Sequence, residues 1–271
     1  MALKTPVVDR IPTYPGRVKL TPVSGQANTY DLVRADQPIE EGTPINKVLF
    51  DQKAYTLTGD VTLYVATTGS DVTGDGTSAA PYATIQKAVD SLPKWLDGHT
   101  ATISIANGTY GETVSVVGFQ GGILELGLTS QSVTVQGILV NASSYIRINT
   151  SIKSTGSTTL IIRNGSQVQI GKAITIDGGS AKASGISVQT GSTLGVLTDF
   201  FEYTTVTIKN TSFTAVHAYG GARAHLGSIA GSSNAVGLRV DEGGIITYGT
   251  NTMTANTATI MTTGGRIYTE V

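Results

Sequence analysis

Glycine returns on a schedule. A frame of a small residue, a short apolar strand, a glycine six places on and then a second strand occurs five times. It runs Thr159 to Gly165, Gly185 to Gly191, Ala215 to Gly221, Gly237 to Gly243 and Ala258 to Gly264, with successive glycines 26, 30, 22 and 21 residues apart. A period in the twenties implies a solenoid whose coils bury their inner faces against one another, the extra residues lying in turns. A β-sandwich is the competing all-β architecture, but a sandwich does not require such a repeat. At about 22 residues per coil the last 171 residues make about seven or eight coils, and stacking at about 4.8 Å gives a rod of about 35–40 Å.

The composition agrees. The 41 threonines favour strands over helices, and charged residues are only 14% of the chain, well below the usual quarter or so. Twenty of the 37 charges fall in the first 100 residues, so the remaining stretch is long, nearly uncharged and rich in Gly, Ser, Thr and Asn. A helical bundle is excluded. A net charge of −1 gives no electrostatic case for nucleic acid or an anionic membrane. No apolar run approaches the length of a spanning helix, so no membrane insertion is expected. The start, MALKTPVVDR, has no apolar h-region, so no secretory signal is expected. With no cysteine, disulfides and thiolate zinc sites are impossible.

Three segments follow. Residues 1–55 hold six of the eight prolines together with apolar residues such as Ile11, Tyr14, Leu20, Tyr30, Leu32 and Phe50. Proline at that density blocks helices and central strands, and the apolar residues mark an extended arm that packs on a partner. Residues 56–100 contain the alternating strand LTGDVTLYV (57–65), a turn cluster around Asp75-Gly76, and one short helix. In that helix Ile85, Ala88, Val89 and Leu92 fall at i, i+3, i+4 and i+7, Thr84 is placed to cap the start, and Pro93 stops it. It stands where the open edge of a solenoid needs a cap. Residues 101–271 are short strands such as TISI (102–105), LIIR (160–163), VHA (216–218) and LRV (238–240), punctuated by glycine and asparagine. The final GGRIYTEV ends on a strand, an edge expected to be covered by a partner or a trimeric tip.

The run GSDVTGDGTSAAPYATIQKAV, followed by TISIANGTYGETV, resembles the opening of pectate-lyase-like right-handed parallel β-helices. The matching elements are the Gly-Asp-Gly-Thr turn (Gly74 to Thr77), the Pro-aromatic-x-Thr-Ile-Gln helix (Pro81 to Gln86) and the Gly-x-Tyr turn (Gly108 to Tyr110). The resemblance covers about 45 residues and implies an all-β right-handed parallel β-helix with one short N-terminal capping helix, preceded by an extended arm. It does not specify a function, because this fold hosts lyases, hydrolases, epimerases and non-catalytic spikes. Residues 9–51 are similar to the N-terminal portion of bacteriophage and prophage tail proteins. Together the two resemblances imply a tail spike or appendage, made in the bacterial host cytoplasm and carried on the virion tail. Members of that group are commonly homotrimers that bind, and sometimes cleave, host surface polysaccharide. The arm, residues 1–55, would dock on a phage tail or baseplate protein.

For glycoside hydrolysis two carboxylates are needed, about 5 Å apart for retention or about 6.5–9.5 Å for inversion. The weak candidates are Asp177, Asp199 and Glu202, which could lie on neighbouring coils, and Asp241-Glu242, which share a turn; each is expected to be a solvated turn carboxylate. The acids are too sparse for a calcium cluster, the motifs of pectin-degrading hydrolases are missing, and there is no serine-nucleophile elbow. His217 and His225 flank Gly220-Gly221 and read as a surface pair, so no metal and no cofactor are expected. The longest interval, between Gly191 and Gly221, carries LTDFFEYTT, Leu197 to Thr205. There Phe200, Phe201 and Tyr203 beside carboxylates are the glycan-contact candidates, against packing on a neighbouring subunit. Outward basic residues come about one per coil and read as a solvated face. The expected function is therefore adhesive and structural. A polysaccharide depolymerase of the same fold and a purely architectural spacer are the alternatives.

Overall fold

The computed structural model describes residues 11–12, 18–22, 24, 30–34, 38–40 and 56–269, apart from 172, 180–183 and 197–204. The chain divides into two compact units, Met1–Ala54 and Tyr55–Val271. In the first unit β1 (Ile11–Pro12) pairs antiparallel with β4 (Pro38–Glu40), and β2 (Val18–Pro22) with β3 (Tyr30–Arg34). Every strand of a two-stranded ribbon has a free edge, which is why Pro12, Pro22 and Pro38 are tolerated in them.

The second unit is a parallel β-solenoid, the all-β architecture expected. It opens with β5 (Val61–Val65), the helix α1 (Ile85–Ser91), β6 (Thr100–Ile105), the two-residue β7 (Gly108–Thr109), β8 (Thr113–Val117) and the long β9 (Ile123–Val135). Next come β10 (Gly137–Asn141) with β11 (Ile146–Ser154), then β12 (Thr158–Arg163), β13 (Gln167–Ile170) and β14 (Thr175–Asp177). The following coil holds β15 (Ser184–Gln189), β16 (Thr193–Val196) and β17 (Thr205–Lys209). Three further strand pairs complete it: β18 (Thr214–Tyr219) and β19 (Arg223–Ala230), β20 (Asn234–Val240) and β21 (Ile245–Asn251), β22 (Ala255–Met261) and β23 (Arg266–Thr269). One wall is a seven-stranded sheet in the order β22-β20-β18-β15-β12-β10-β8, so there are seven coils. The facing wall is a twelve-stranded sheet, and the described helices include none long and apolar enough to cross a membrane.

Strand alternation sends every second side chain inward, and parallel register stacks those side chains by coil. Val114, Ile138, Leu160, Ile186, Val216 and Leu238 are consecutive register partners, and each is buried. The repeated glycines sit at one corner, where two successive residues take positive φ: Asn164-Gly165, Thr190-Gly191, Gly220-Gly221 and Glu242-Gly243. The corners are stacked through Gly165 N–H to Thr190 O, Gly191 N–H to Gly220 O and Gly221 N–H to Glu242 O. The small residue that opens each frame has its own cause: a Cβ on Gly185 would lie 2.6 Å from the Ala215 carbonyl oxygen, and one on Gly237 2.5 Å from that of Ala258. Just past the corner, buried serines replace neighbouring backbone acceptors, with Phe119, Ser143 and Ser166 donating their N–H groups to the hydroxyls of Ser143, Ser166 and Ser192.

α1 closes the first coil. Thr84 Oγ1 accepts from the Lys87 N–H as N-cap, and Ile85, Ala88 and Val89 are buried against the solenoid. The edge of β8 is met by one side chain: Gln86 Oε1 accepts from the Ser115 N–H (2.7 Å) while Gln86 Nε2 donates to the Ser115 carbonyl (3.2 Å). A carboxamide presents a donor and an acceptor side by side, as a peptide unit does, so it substitutes for a neighbouring strand.

Candidate functional site

The outward face of the seven-stranded sheet assembles side chains by register. Ser187, His217 and Arg239 are direct partners on β15, β18 and β20. Tyr219 points the same way as His217 two residues earlier, and Asp241 follows the end of β20. His217 Nε2 and Asp241 Oδ2 are 2.8 Å apart, Arg239 Nε donates to the same oxygen at 2.7 Å, and the Thr262 hydroxyl donates to Asp241 Oδ1 from the next coil. The Tyr219 ring lies 4.6 Å from the imidazole, centroid to centroid, and the Phe213 ring lies 5.7 Å from the Arg239 guanidinium. Phe213 is 52% exposed.

Burial pushes the Asp241 carboxyl up. The hydrogen bonds from Thr262, Arg239 and His217 outweigh it and bring the pKa down to about 2. Asp241 is therefore an acceptor only, and Nε2 of His217 must carry the ring proton. Burial holds His217 below its ordinary pKa, and the adjacent carboxylate does not fully offset that. At neutral pH the contact is a hydrogen bond from a neutral imidazole, leaving Nδ1 without a partner among the described residues. The guanidinium N–H groups of Arg239 beyond Nε have no partner among the described residues. Arg239 is thus held in a network rather than standing as one of a solvated set.

Asp177 sits on the other wall, in a row where Lys153, Asp177 and Lys209 are register partners. Asn210 Nδ2 and the Gly179 N–H donate to it at 2.9 Å, and Lys209 Nζ is 3.6 Å away. Burial works against ionisation there, but these bonds and the two lysines hold the carboxyl below the usual range. Glu242 is exposed in the turn before Gly243, at φ +50°. Asp199, Glu202, Phe200, Phe201 and Tyr203 lie outside the described residues. His225 is on the opposite wall from His217, its Nδ1 2.8 Å from the Thr247 hydroxyl. Two further acids hold the fold: Glu112 accepts from the N–H groups of Ile85 and Gln86 at the start of α1, and Glu125 pairs with Arg147 at 3.0 Å.

A glycosidase acid must hold its proton near neutral pH, so its pKa is raised. Asp177 and Asp241 are both lowered, and neither is placed as that donor. The arrangement around Asp241 instead offers a fixed row of acceptors, donors and two aromatic faces across three coils. No group of three metal-ligating side chains occurs among the described residues. Arg239 belongs to the basic residues that the sequence places on a solvated face, and Tyr219, Phe213 and Thr262 escaped sequence reasoning. Their signal was available as spacing, because Arg239 and Asp241 follow His217 by 22 and 24 residues, one coil. No family model, no curated protein and no solved structure matches the chain.

Proposed function

We propose that this protein is a structural appendage of a bacteriophage tail that docks on the virion through residues 1–55 and displays the solenoid to bacterial surface glycan. The reading is carried by the row Phe213, Arg239, Asp241, His217 and Tyr219, in which ionised and aromatic groups are fixed by neighbours on adjacent coils and face outward. Polar groups pre-set beside aromatic faces are what sugar hydroxyls and the apolar faces of sugar rings require. The parallel solenoid is consistent with a spike of this kind. A homotrimer follows from the same reading, since three parallel rods bury their sides and close the assembly without open-ended growth.

The test is the mass of the purified protein in solution, followed by mixing with capsule and wall polysaccharides while binding and oligosaccharide release are both measured. A trimer that binds without releasing sugar is the expected outcome, with Arg239→Ala weakening binding roughly tenfold. One observation favours a second reading, a depolymerase: the neutral His217 has a ring nitrogen free to take a proton. Release of oligosaccharides, abolished by His217→Gln, selects that reading over the adhesin.

A further inference from the structure

At the capped end of the solenoid, the corner that carries the repeated glycines further along holds two half-exposed aromatic residues. Trp95 forms a parallel bridge to Gln120 on the first coil, and Ser144 donates its backbone N–H to the Phe119 carbonyl at 2.9 Å and its hydroxyl to Gln120 Oε1. Trp95, Gln120-Gly121 and Ser144-Tyr145 therefore occupy one corner of three successive turns of chain. Trp95 is 49% exposed and Tyr145 56%. The rings do not stack on each other, and neither the indole N–H nor the phenol O–H has a partner among the described residues.

Two costs stand out. Tyr145 has φ +57°, a left-handed conformation that strains a bulky side chain and that this corner also gives to Asn164, Thr190 and Glu242. Its ring gains little burial in return. The second cost is at Gly121, whose missing side chain lets the indole lie on the backbone: a Cβ there would be 2.9 Å from the ring. The Gln120 carboxamide, on the residue bridged to Trp95, is pinned to the Ala142 carbonyl (3.1 Å) and accepts from the hydroxyl of Ser144, the residue before Tyr145.

We infer that Trp95, Tyr145, Gln120 and Ser144 form a subsite for a single neutral hexose ring. Trp95 takes the apolar face of the sugar, while the unpaired indole N–H and phenol O–H and the fixed Gln120 and Ser144 take hydroxyls. A protein partner is the poorer fit. Such an interface needs about 800 Å² on each side, whereas here two rings are set among polar residues. The inference rests on the reading that the rod faces glycan, and it adds a place of contact separate from the Asp241 row.

Trp95 is the only tryptophan in the chain, so its fluorescence reports on this corner alone. The full chain is titrated with methyl β-glucopyranoside, methyl β-galactopyranoside and N-acetylglucosamine at millimolar concentrations, with glycerol as the control that has hydroxyls but no ring. A saturable shift with at least one sugar and none with glycerol is expected. Tyr145→Asn keeps a residue that tolerates the left-handed corner and should weaken that sugar roughly tenfold, while Val72→Ala, at an exposed position in neither site, should not change it. No saturable response to any sugar, or unchanged affinity in Tyr145→Asn, overturns the inference. Co-sedimentation with host polysaccharide separates the two claims. Polysaccharide binding kept by Trp95→Ala and Tyr145→Asn removes this subsite and leaves the adhesin. Sugar binding without polysaccharide binding keeps the subsite and removes the adhesin.

Discussion

Gly165 and Gly231 both have positive φ, at +72° and +150°, yet they are glycines for different reasons. A Cβ on Gly165 would have nothing within 4 Å, so alanine there meets only the left-handed penalty, roughly 1 kcal/mol. A Cβ on Gly231 would overlap the Ile208 carbonyl oxygen, so the backbone of two coils must part, which costs on the order of 4 kcal/mol. Denaturant midpoints should fall slightly for Gly165→Ala and sharply for Gly231→Ala, with little change in slope for the first. The same contrast governs what could be read from the chain. The corner glycines recur at the coil period because every coil turns at the same place. Gly231 belongs to no frame, because its constraint comes from a carbonyl 23 positions back in sequence.

Among the elements, the cap shows how one motif serves two ends. Gln86 stands in for a strand beside β8, and the acids Asp71 and Glu112 meet the start of α1: Asp71 accepts from the N–H groups of Ala83 and Thr84, Glu112 from those of Ile85 and Gln86. Gln86→Ala leaves the Ser115 N–H and carbonyl unpaired at the edge, which costs about 1–3 kcal/mol and should raise amide exchange at Ser115 before that of the inner strands. The helix was legible from its apolar spacing, its threonine cap and Pro93. The role of Glu112 was not, since it acts across 26 residues on Gln86 and resembles any turn carboxylate. The apolar cores ILEL (123–126) and VTV (133–135) both fall in β9, and the register on β11 jumps from Leu126–Ile148 to Gln131–Thr150, so residues 127–130 bulge between them. Gly127, at φ +77° and packed against Thr150, opens that bulge.

For the whole molecule, the Asp241 network binds coils together, and its protonation sets how the rod responds to acid. His217 has a folded pKa below its ordinary 6.5, so the unfolded chain binds the proton more readily and stability is lost as the pH falls below about 6.5. Asp241 drops from 3.8 to about 2 on folding, so its contribution is complete above about pH 4 and disappears as the pH falls toward 2. That contribution is on the order of 2 kcal/mol, since the carboxylate is largely shielded from water. The thermal midpoint should therefore be level from pH 8 to about 6.5 and decline in two steps below. His217→Gln should flatten the upper step. Asp241→Asn should shrink the lower step to the part that Asp177 supplies and reduce stability already at pH 7, because a carboxamide keeps only one of the two acceptor oxygens that Arg239, His217 and Thr262 share. A solenoid distributes such losses through its neighbours, because each coil is stable only against the next. Melting should accordingly begin in the coils of β18, β20 and β22, and amide exchange at pH 5 should rise there before it rises beside the capped end. Because the Asp241 contribution is complete above about pH 4, exchange at pH 5 reads His217, and uniform exchange along the rod there would show that its protonation does not loosen these coils.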